Sequence, residues 1–223
     1  MKIVNLDGFT TNPGDLSWEG IEKLGDYIVY ERTAPDEIIN RAKGADILIV
    51  NKTIMNRDIL DALSPELKYI GLQSTGYNVV DCEYARTLGI TVCNIPAYST
   101  NAVAQLVFAF ILQITNEVTL HSGAVKSGEW CRCPDFCFWK KPLTELDGKI
   151  IGIVGFGSIG RRVASIAEAF GMKVLAYNPR PKDKGELNVR FVTIDELLRQ
   201  SDIVTCHCPL TPETDGLINK DNI

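Results

Sequence analysis

The sequence predicts an α/β protein with two doubly wound parallel sheets, and three observations support this fold class. Strand-like and helix-like segments alternate from residue 2 to residue 95, and a second alternating series begins at Lys149. A long helical candidate, Ser99–Lys126, separates the two series. A glycine-rich turn follows the first strand of the second series. Because βα alternation is typical of parallel sheets covered by helices on both faces, we expect two domains, residues 1–98 and 99–223.

The first series contains five predicted strands with helices between them. Ser17 is a suitable N-cap for the first helix, and Pro35 and Gly44 bracket the second, as Pro and Gly do at helix starts and ends. The apolar run Ala45–Val50 is expected to be a strand buried on both faces. The other predicted strands are Lys2–Asp7, Tyr27–Glu31, Lys68–Gln73 and Thr91–Ile95, and the helices are Ser17–Leu24, Pro35–Lys43, Asn56–Leu63 and Val80–Leu88.

The middle of the chain departs from this alternation. The Ser99–Lys126 helix is expected to be one core helix that joins the two domains, and its apolar face is formed by Val103, Leu106, Val107, Phe110, Ile111 and Ile114. The segment Gly128–Pro142 is predicted to be irregular. Its aromatic side chains either pack onto their own domain or are covered by a partner subunit. The second series then has strands Lys149–Val154, Lys173–Tyr177, Arg190–Val192 and Asp202–Cys206, with helices Ser158–Phe170 and Ile194–Gln200.

Composition narrows the class of protein. The 223 residues are 45% hydrophobic and 23% charged, which is typical of a globular chain with a core. The net charge of -5 argues against a general nucleic-acid-binding surface. The longest apolar run, Leu106–Leu112, is too short to span a bilayer, and residues 1–7 look like a strand rather than a signal peptide. We therefore expect a cytoplasmic protein without nucleic-acid or membrane partners.

Seven cysteines fit a reducing compartment. They are Cys82, Cys93, Cys131, Cys133, Cys137, Cys206 and Cys208. Two groups of them, residues 131–137 and Cys206-His207-Cys208, suggest a zinc site as one interpretation. Paired CxxC spacing is absent, so we favour the other interpretation, reduced thiols that pack as small hydrophobic side chains, and we predict no metal site.

The glycine-rich turn is the strongest local motif. Gly155-Phe156-Gly157-Ser158-Ile159-Gly160 is a GxGxxG that follows an apolar strand and opens an amphipathic helix, the context that dinucleotide binding requires. Gly155 permits a tight turn, Gly157 lets the backbone approach a pyrophosphate, and Gly160 lets the helix pack close to the strand. The helix N-terminus then presents unpaired N–H groups to the phosphates. The alternative is a glycine-rich turn without a ligand.

The residues after the next strand bear on cofactor choice. NAD-binding sites usually place Asp or Glu there to hold the ribose 2′-hydroxyl, whereas this sequence has Asn178, followed by Pro179 and Arg180. Asn178 does not repel a 2′-phosphate, and Arg180 can pair with one. The cofactor is therefore NADP or NAD, with NADP favoured. The alternative is a solvated loop in which Arg180 is a surface charge.

Several motifs in order resemble one enzyme family. The segments are Gly44–Lys52, Ser74–Asp81, Pro96–Gln105, Pro134–Trp139, Leu143–Lys149 and Ser201–Thr214. In this order they are similar to successive motifs of the D-isomer-specific 2-hydroxyacid dehydrogenases, in the glycerate dehydrogenase or hydroxypyruvate reductase branch. The match runs from about Ala45 to the end of the chain. The resemblance implies a flavodoxin-like substrate (catalytic) domain at 1–98 and a Rossmann NAD(P)-binding domain at 99–223, truncated at its C-terminal end, with the active cleft between them.

The resemblance also implies site residues. Backbone amides of Ser74, Thr75 and Gly76 would hold a substrate carboxylate, and Lys52 would add positive charge, although a plain surface lysine is an equal alternative. The implied cofactor contacts are Gly155, Phe156, Gly157, Ser158, Ile159, Gly160, Asn178, Arg180, Cys208, Pro209 and Thr214. His207 belongs to the strand end beside the cofactor in the family pattern, so we do not assign it as the catalytic base.

The resemblance places the catalytic Arg, Glu and His beyond Ile223, so no residue of 1–223 matches a catalytic position. We therefore expect an N-terminal fragment, inactive by itself, of an NAD(P)-dependent oxidoreductase that is a homodimer at full length. It would interconvert a 2-oxo acid of the hydroxypyruvate or glyoxylate type and its D-2-hydroxy acid, of the D-glycerate type. The alternatives are a dinucleotide-sensing binding module on the same fold, and an inert fragment.

Overall fold

Each half of the chain is built around its own parallel sheet. The computed structural model describes residues 1–179 and 185–222, and it divides the chain into two units, Met1–Tyr98 and Ser99–Ile223. The predicted fold class, α/β with two doubly wound parallel sheets, is confirmed by these two sheets.

Unit 1 contains a five-stranded sheet in the order β2-β1-β3-β4-β5, with every neighbouring pair parallel. This is the strand order of flavodoxin-like folds. The strands are β1 (Lys2–Asn5), β2 (Asp26–Val29), β3 (Ile47–Val50), β4 (Tyr69–Leu72) and β5 (Thr91–Cys93). The helices are α1 (Gly8–Thr11), α2 (Glu19–Glu22), α3 (Ile38–Ala42), α4 (Arg57–Leu63) and α5 (Cys82–Thr87), and a 3-10 turn, Pro35–Glu37, leads into α3.

The predicted elements of unit 1 are all present, most of them with shorter bounds, and β2 begins one residue earlier than predicted, at Asp26. Asn56 and Asp81 cap α4 and α5 by accepting the backbone N–H of Ile59 and Tyr84. The prediction that Ala45–Val50 is a strand buried on both faces is wrong in two respects. The run is interrupted by Asp46, which accepts the backbone N–H of Lys2, and Ile47 and Ile49 are only half-buried whereas Leu48 and Val50 are fully buried.

Two details at the start of unit 1 were not predicted. Helix α1 follows β1 directly, in a stretch where the sequence shows no helical periodicity. Ser17 is not the N-cap of α2, because Trp18 occupies that position; the Ser17 hydroxyl instead accepts the backbone N–H of Glu19.

Unit 2 contains a four-stranded parallel sheet in the order β8-β7-β6-β9. Strand order 3-2-1-4 is that of a Rossmann sheet. The strands are β6 (Ile150–Val154), β7 (Lys173–Tyr177), β8 (Val189–Phe191) and β9 (Ile203–Cys206), and the helices are α6 (Thr100–Asn116), α7 (Val118–Lys126), α8 (Glu129–Arg132), α9 (Ser158–Ala169) and α10 (Ile194–Gln200). The core includes β6, the buried face of α9 and part of α6, with Phe108 stacked on Phe170 at 5.4 Å between ring centroids.

The prediction of one long helix over Ser99–Lys126 is wrong. The chain breaks at Glu117, which has φ 48°, and the axes of α6 and α7 differ by 61°. Glu117 is held in this left-handed conformation, unusual for a residue other than Gly, while its carboxylate pairs with Lys141 at 2.8 Å. Among residues 1–179 and 185–222, no single helix is long and apolar enough to cross a membrane, and only the bent α6–α7 pair meets the length and composition criteria jointly.

The predicted apolar face of α6 is also wrong in part. Ile111 lies in the core together with Ala104 and Phe108, but Leu106, Phe110 and Ile114 are exposed. The segment Gly128–Pro142, predicted to be irregular, begins with the short helix α8. The rest folds back on α7, where the His121 ring accepts the backbone N–H of Lys140.

Candidate functional site

The glycine turn sits at the carboxyl edge of the unit 2 sheet. Gly155 has φ 95°, a conformation that L side chains rarely adopt, and its N–H donates to the Tyr177 carbonyl at 2.9 Å. A Cβ at this position would lie 2.5 Å from the Cys208 backbone nitrogen and 2.6 Å from the His207 carbonyl carbon. Glycine is therefore required here, because the turn passes directly against the end of β9.

The other two glycines of the turn differ in the space around the position that a Cβ would occupy. A Cβ on Gly160 would lie 2.3 Å from the Gly155 carbonyl oxygen, so Gly160 allows α9 to pack against the turn. Gly157 has an ordinary φ of -84°, and a Cβ there would meet nothing within 4 Å. Nothing within the protein therefore requires glycine at 157. The space next to the N–H groups that open α9 is therefore open, which pyrophosphate binding at a helix N-terminus requires.

The side chains between these glycines differ in burial. Phe156 is fully buried and packs edge-on against Phe191, with ring centroids 5.3 Å apart. Its side chain therefore belongs to the core, and only its backbone can face a ligand. Ser158 is exposed and Ile159 is half-buried against the core.

The end of β9 lies beside the turn, as strand pairing requires. The register pairs Val154 with both Tyr177 and Cys206, and the His207 N–H donates to the Val154 carbonyl at 2.7 Å. The His207 Nε2 lies 2.9 Å from the Thr205 hydroxyl. Burial lowers the pKa of His207 below its ordinary value, which favours the neutral ring at pH 7.

The segment after β9 forms a turn closed by Thr214. The Thr214 hydroxyl donates to the Pro209 carbonyl at 2.6 Å and accepts the Thr211 N–H at 2.8 Å. Cys208 is half-buried against the core. The structure thus places Cys208 at the glycine turn, with Pro209 and Thr214 on the turn that follows it.

Asn178 follows β7 directly, next to Gly155 on the neighbouring strand. It is half-buried, at the position where a ribose-binding residue is expected. Arg180 lies outside the described residues.

The substrate-side loop of unit 1 presents free backbone donors. The Ser74 hydroxyl donates to the Gly76 carbonyl at 2.7 Å, and the Thr75 hydroxyl to the Ile95 carbonyl at 3.0 Å. Asn94 donates to the Thr75 carbonyl at 2.7 Å. Within residues 1–179 and 185–222, the exposed N–H groups of Thr75 and Gly76 have no hydrogen-bond acceptor. They are available to an anion.

Lys52 follows β3 at the same edge of the unit 1 sheet, and its side chain is exposed. Its backbone N–H donates to Asp7 Oδ2 at 3.0 Å. Asp7, which is buried, was not among the predicted site residues. The available signal was a carboxylate at the end of the predicted strand Lys2–Asp7. In the described part of the chain, no three His, Cys, Asp or Glu side chains come together as metal ligands.

Fold and turn together define an α/β protein of the dinucleotide-binding class. The family model for the D-isomer specific 2-hydroxyacid dehydrogenase NAD binding domain matches residues 108–223. Over 228 aligned residues, the chain is 50% identical to a hydroxypyruvate reductase of Blautia hydrogenotrophica, and the match covers 100% of this chain and 70% of that protein. It is 37% identical to a glycerate dehydrogenase of Methylorubrum extorquens, covering 89% of this chain and 61% of that protein.

A solved structure of similar fold is an acyclic imino acid reductase in complex with NADPH and D-Arg. It has a TM-score of 0.76 and 32% identity, with 96% of this chain and 67% of that chain covered. The chain belongs to the D-isomer specific 2-hydroxyacid dehydrogenase family. The predicted family is thereby confirmed, as is a nicotinamide dinucleotide as the cofactor class.

Proposed function

We propose that unit 2 binds NAD(P) through the Gly155–Gly160 turn, Asn178, Arg180 and the segment Cys208–Thr214. The observation that carries this proposal is the position of Gly157, which is the N-cap of α9 and has open space where a Cβ would lie. When bound, the dinucleotide supplies the hydride. The protein's own groups hold the cofactor: backbone N–H groups at the start of α9 face the phosphates, and the end of β9 lies beside the turn.

Substituting Gly157 tests this site without disturbing the fold. The Cβ of Gly157→Ala enters open space, so the protein is expected to fold normally and to bind NADPH about ten-fold more weakly because the methyl group meets the pyrophosphate. Fluorescence titration with NADPH measures this affinity. Gly123→Ala is the matched control, since its Cβ also meets nothing and it lies in α7 of the same unit. Equal NADPH affinity in both variants would contradict the site.

We further propose that unit 1 binds the substrate, a 2-oxo acid of the hydroxypyruvate or glyoxylate type that is reduced to its D-2-hydroxy acid. The Thr75 and Gly76 N–H groups suit a carboxylate, and the exposed Lys52 adds positive charge at the same sheet edge. The names of the Blautia and Methylorubrum relatives support this substrate class. NADPH oxidation at 340 nm by the complete gene product tests it, with hydroxypyruvate and glyoxylate as substrates.

A dinucleotide-sensing module is the competing function. It requires NAD(P) binding without turnover of any 2-oxo acid. The same assay separates the two, because a sensor binds NADPH in the titration and leaves hydroxypyruvate and glyoxylate unreduced.

We propose that a second copy of this chain covers the exposed face of α6. Leu106, Phe110 and Ile114 recur every four residues and form one apolar stripe, exposed by 53%, 60% and 73%. Phe136 and Trp139 of the same unit are also exposed. Exposed apolar side chains grouped on one helix face are typical of interaction surfaces.

Leu106→Glu is therefore expected to convert a dimer into monomers, because the dimer would bury an unpaired charge. Light scattering after gel filtration measures the mass. Leu24→Glu is the matched control: Leu24 is also exposed, by 63%, but it belongs to unit 1 and not to the unit that carries the stripe. A monomer in the unaltered protein, or loss of the dimer with Leu24→Glu alone, contradicts the proposal.

A cytoplasmic location is also proposed. All seven cysteines are free thiols, and free thiols persist where the compartment is reducing.

A further inference from the structure

We propose that Asp7 is a positioning residue for substrate binding: its buried carboxylate fixes the backbone of the Lys52 loop. This inference rests on the proposed function, since it assigns a role at the substrate side of unit 1. Asp7 is 6% exposed and lies two residues beyond the end of β1.

One carboxylate oxygen of Asp7 accepts three consecutive backbone N–H groups. Oδ2 lies 2.7 Å from the Asn51 nitrogen, 3.0 Å from the Lys52 nitrogen and 3.0 Å from the Thr53 nitrogen. Hydrogen bonds to an ionised acceptor are stronger than neutral ones, and three of them to successive residues leave the loop backbone little freedom. The Lys52 side chain therefore projects from a fixed point.

Thr10 and Thr11 of helix α1 make further hydrogen bonds in this region. The Asn51 side-chain amide donates to the Thr10 hydroxyl at 2.8 Å, and the Thr10 hydroxyl donates to the Asp7 carbonyl at 2.8 Å. On the other side, the Thr11 hydroxyl lies 3.1 Å from Gln73 Oε1.

Gln73 directly precedes the Ser74–Gly76 loop, and its own N–H donates to the Val50 carbonyl at 2.9 Å. The residues after β1 thus contact both loops that the proposed function assigns to the substrate, the one after β3 and the one after β4.

The division of N–H groups between these loops supports a positioning role. The carboxylate of Asp7 occupies the N–H groups of residues 51–53, so they are not available to an anionic substrate. The N–H groups of Thr75 and Gly76 stay available to an anionic substrate. Asp7 itself is only 6% exposed, so we assign it a role through Lys52 and not by contact with the substrate.

Asp46 provides a matched control in the same sheet. Its carboxylate also accepts a backbone N–H, that of Lys2 at 2.7 Å, but it precedes β3 and so lies at the opposite edge from Lys52. Asp7→Asn and Asp46→Asn each replace a carboxylate that holds backbone in unit 1 with the isosteric amide. If Asp7 only supported the fold, Asp7→Asn would lower the melting temperature and leave both KM values unchanged, as expected for Asp46→Asn.

The experiment is a steady-state comparison in the complete gene product, with hydroxypyruvate varied at saturating NADPH and then NADPH varied at saturating hydroxypyruvate. Asp7→Asn is expected to raise the KM for hydroxypyruvate about ten-fold, because a displaced loop misplaces Lys52, while the KM for NADPH stays unchanged. Asp46→Asn is expected to leave both KM values unchanged, whatever it does to the melting temperature.

Thr10→Val is the second variant, since it keeps the shape of the side chain and removes only the hydroxyl between Asn51 and Asp7. It is expected to raise the hydroxypyruvate KM by about three-fold. If Asp7→Asn and Asp46→Asn have equal KM values for hydroxypyruvate, the assignment of Asp7 is overturned while the proposed function stands. If Asp7→Asn does not fold, an unchanged hydroxypyruvate KM in Thr10→Val overturns that assignment in the same way. No turnover in the unaltered protein contradicts the proposed function, and this inference falls with it.

Discussion

The 223-residue chain is expected to reduce hydroxypyruvate about a hundred-fold or more slowly than the hydroxypyruvate reductase of Blautia hydrogenotrophica, of which it covers 70%. Hydride transfer to a carbonyl carbon needs a proton for the oxygen, and a positioned general acid typically contributes about a hundred- to ten-thousand-fold. We expect that no residue of 1–223 takes the place of the family's general acid, its Glu partner or the substrate-orienting Arg. Loss of the substrate clamp adds to the effect.

The histidines of the chain bear on this prediction. His207 has its Nε2 next to the Thr205 hydroxyl, and His121 lies in α7 with its ring between Glu117 and Lys140. Both histidines belong to unit 2, and the family pattern assigns His207 to the strand end beside the cofactor and not to catalysis. The measurement is NADPH oxidation by both proteins, with the Gly157→Ala chain as the background control. Clear turnover by the shorter chain above that background means that a catalytic acid lies within 1–223.

The complete gene product is expected to use NADPH at least as well as NADH, and Arg180→Ala is expected to shift the kcat/KM ratio toward NADH by about ten- to a hundred-fold. A charge-assisted hydrogen bond to the 2′-phosphate contributes about 1.5–3 kcal/mol, which corresponds to this range. Asn178→Asp is expected to act in the same direction, because a carboxylate beside Gly155 repels the phosphate and suits the 2′-hydroxyl.

Arg199→Ala is the control for a general loss of positive charge, since Arg199 is an exposed arginine in the last turn of α10. It is expected to leave the NADPH to NADH ratio unchanged. If Arg180→Ala gives the same ratio as Arg199→Ala, the phosphate-clamp interpretation is wrong and Arg180 is only a surface charge.

Local rules were sufficient to predict the dinucleotide turn and most strands. Gly155, Gly157 and Gly160 act within six residues, and each meets a condition set by its immediate neighbours: a positive φ, an open space and a close backbone approach. Strands such as β7, which the structure reproduces at the predicted bounds, are apolar runs bounded by polar residues. For such segments, local pattern and tertiary environment favour the same structure.

The features that were missed depend on contacts between distant residues. The helix break at Glu117 has no Gly or Pro to mark it, and the left-handed backbone there is accompanied by the Lys141 ion pair, 24 residues away. The three hydrogen bonds of Asp7 span 44 to 46 residues. Hydrophobic periodicity describes one helix face or one strand at a time, so neither the helix break nor the hydrogen bonds of Asp7 can be predicted from it.

Hydrogen–deuterium exchange of this chain with and without NADPH tests the central claim, that the dinucleotide binds at the carboxyl edge of the unit 2 sheet. Bound phosphates accept the N–H groups that open α9, so slower exchange is expected at residues 155–161 and at 206–209, where β9 ends beside the turn. Exchange in α10, which lies elsewhere in the same unit, is expected to be unchanged. NADPH binding without slower exchange at residues 155–161, or with slower exchange only outside both segments, would contradict the account.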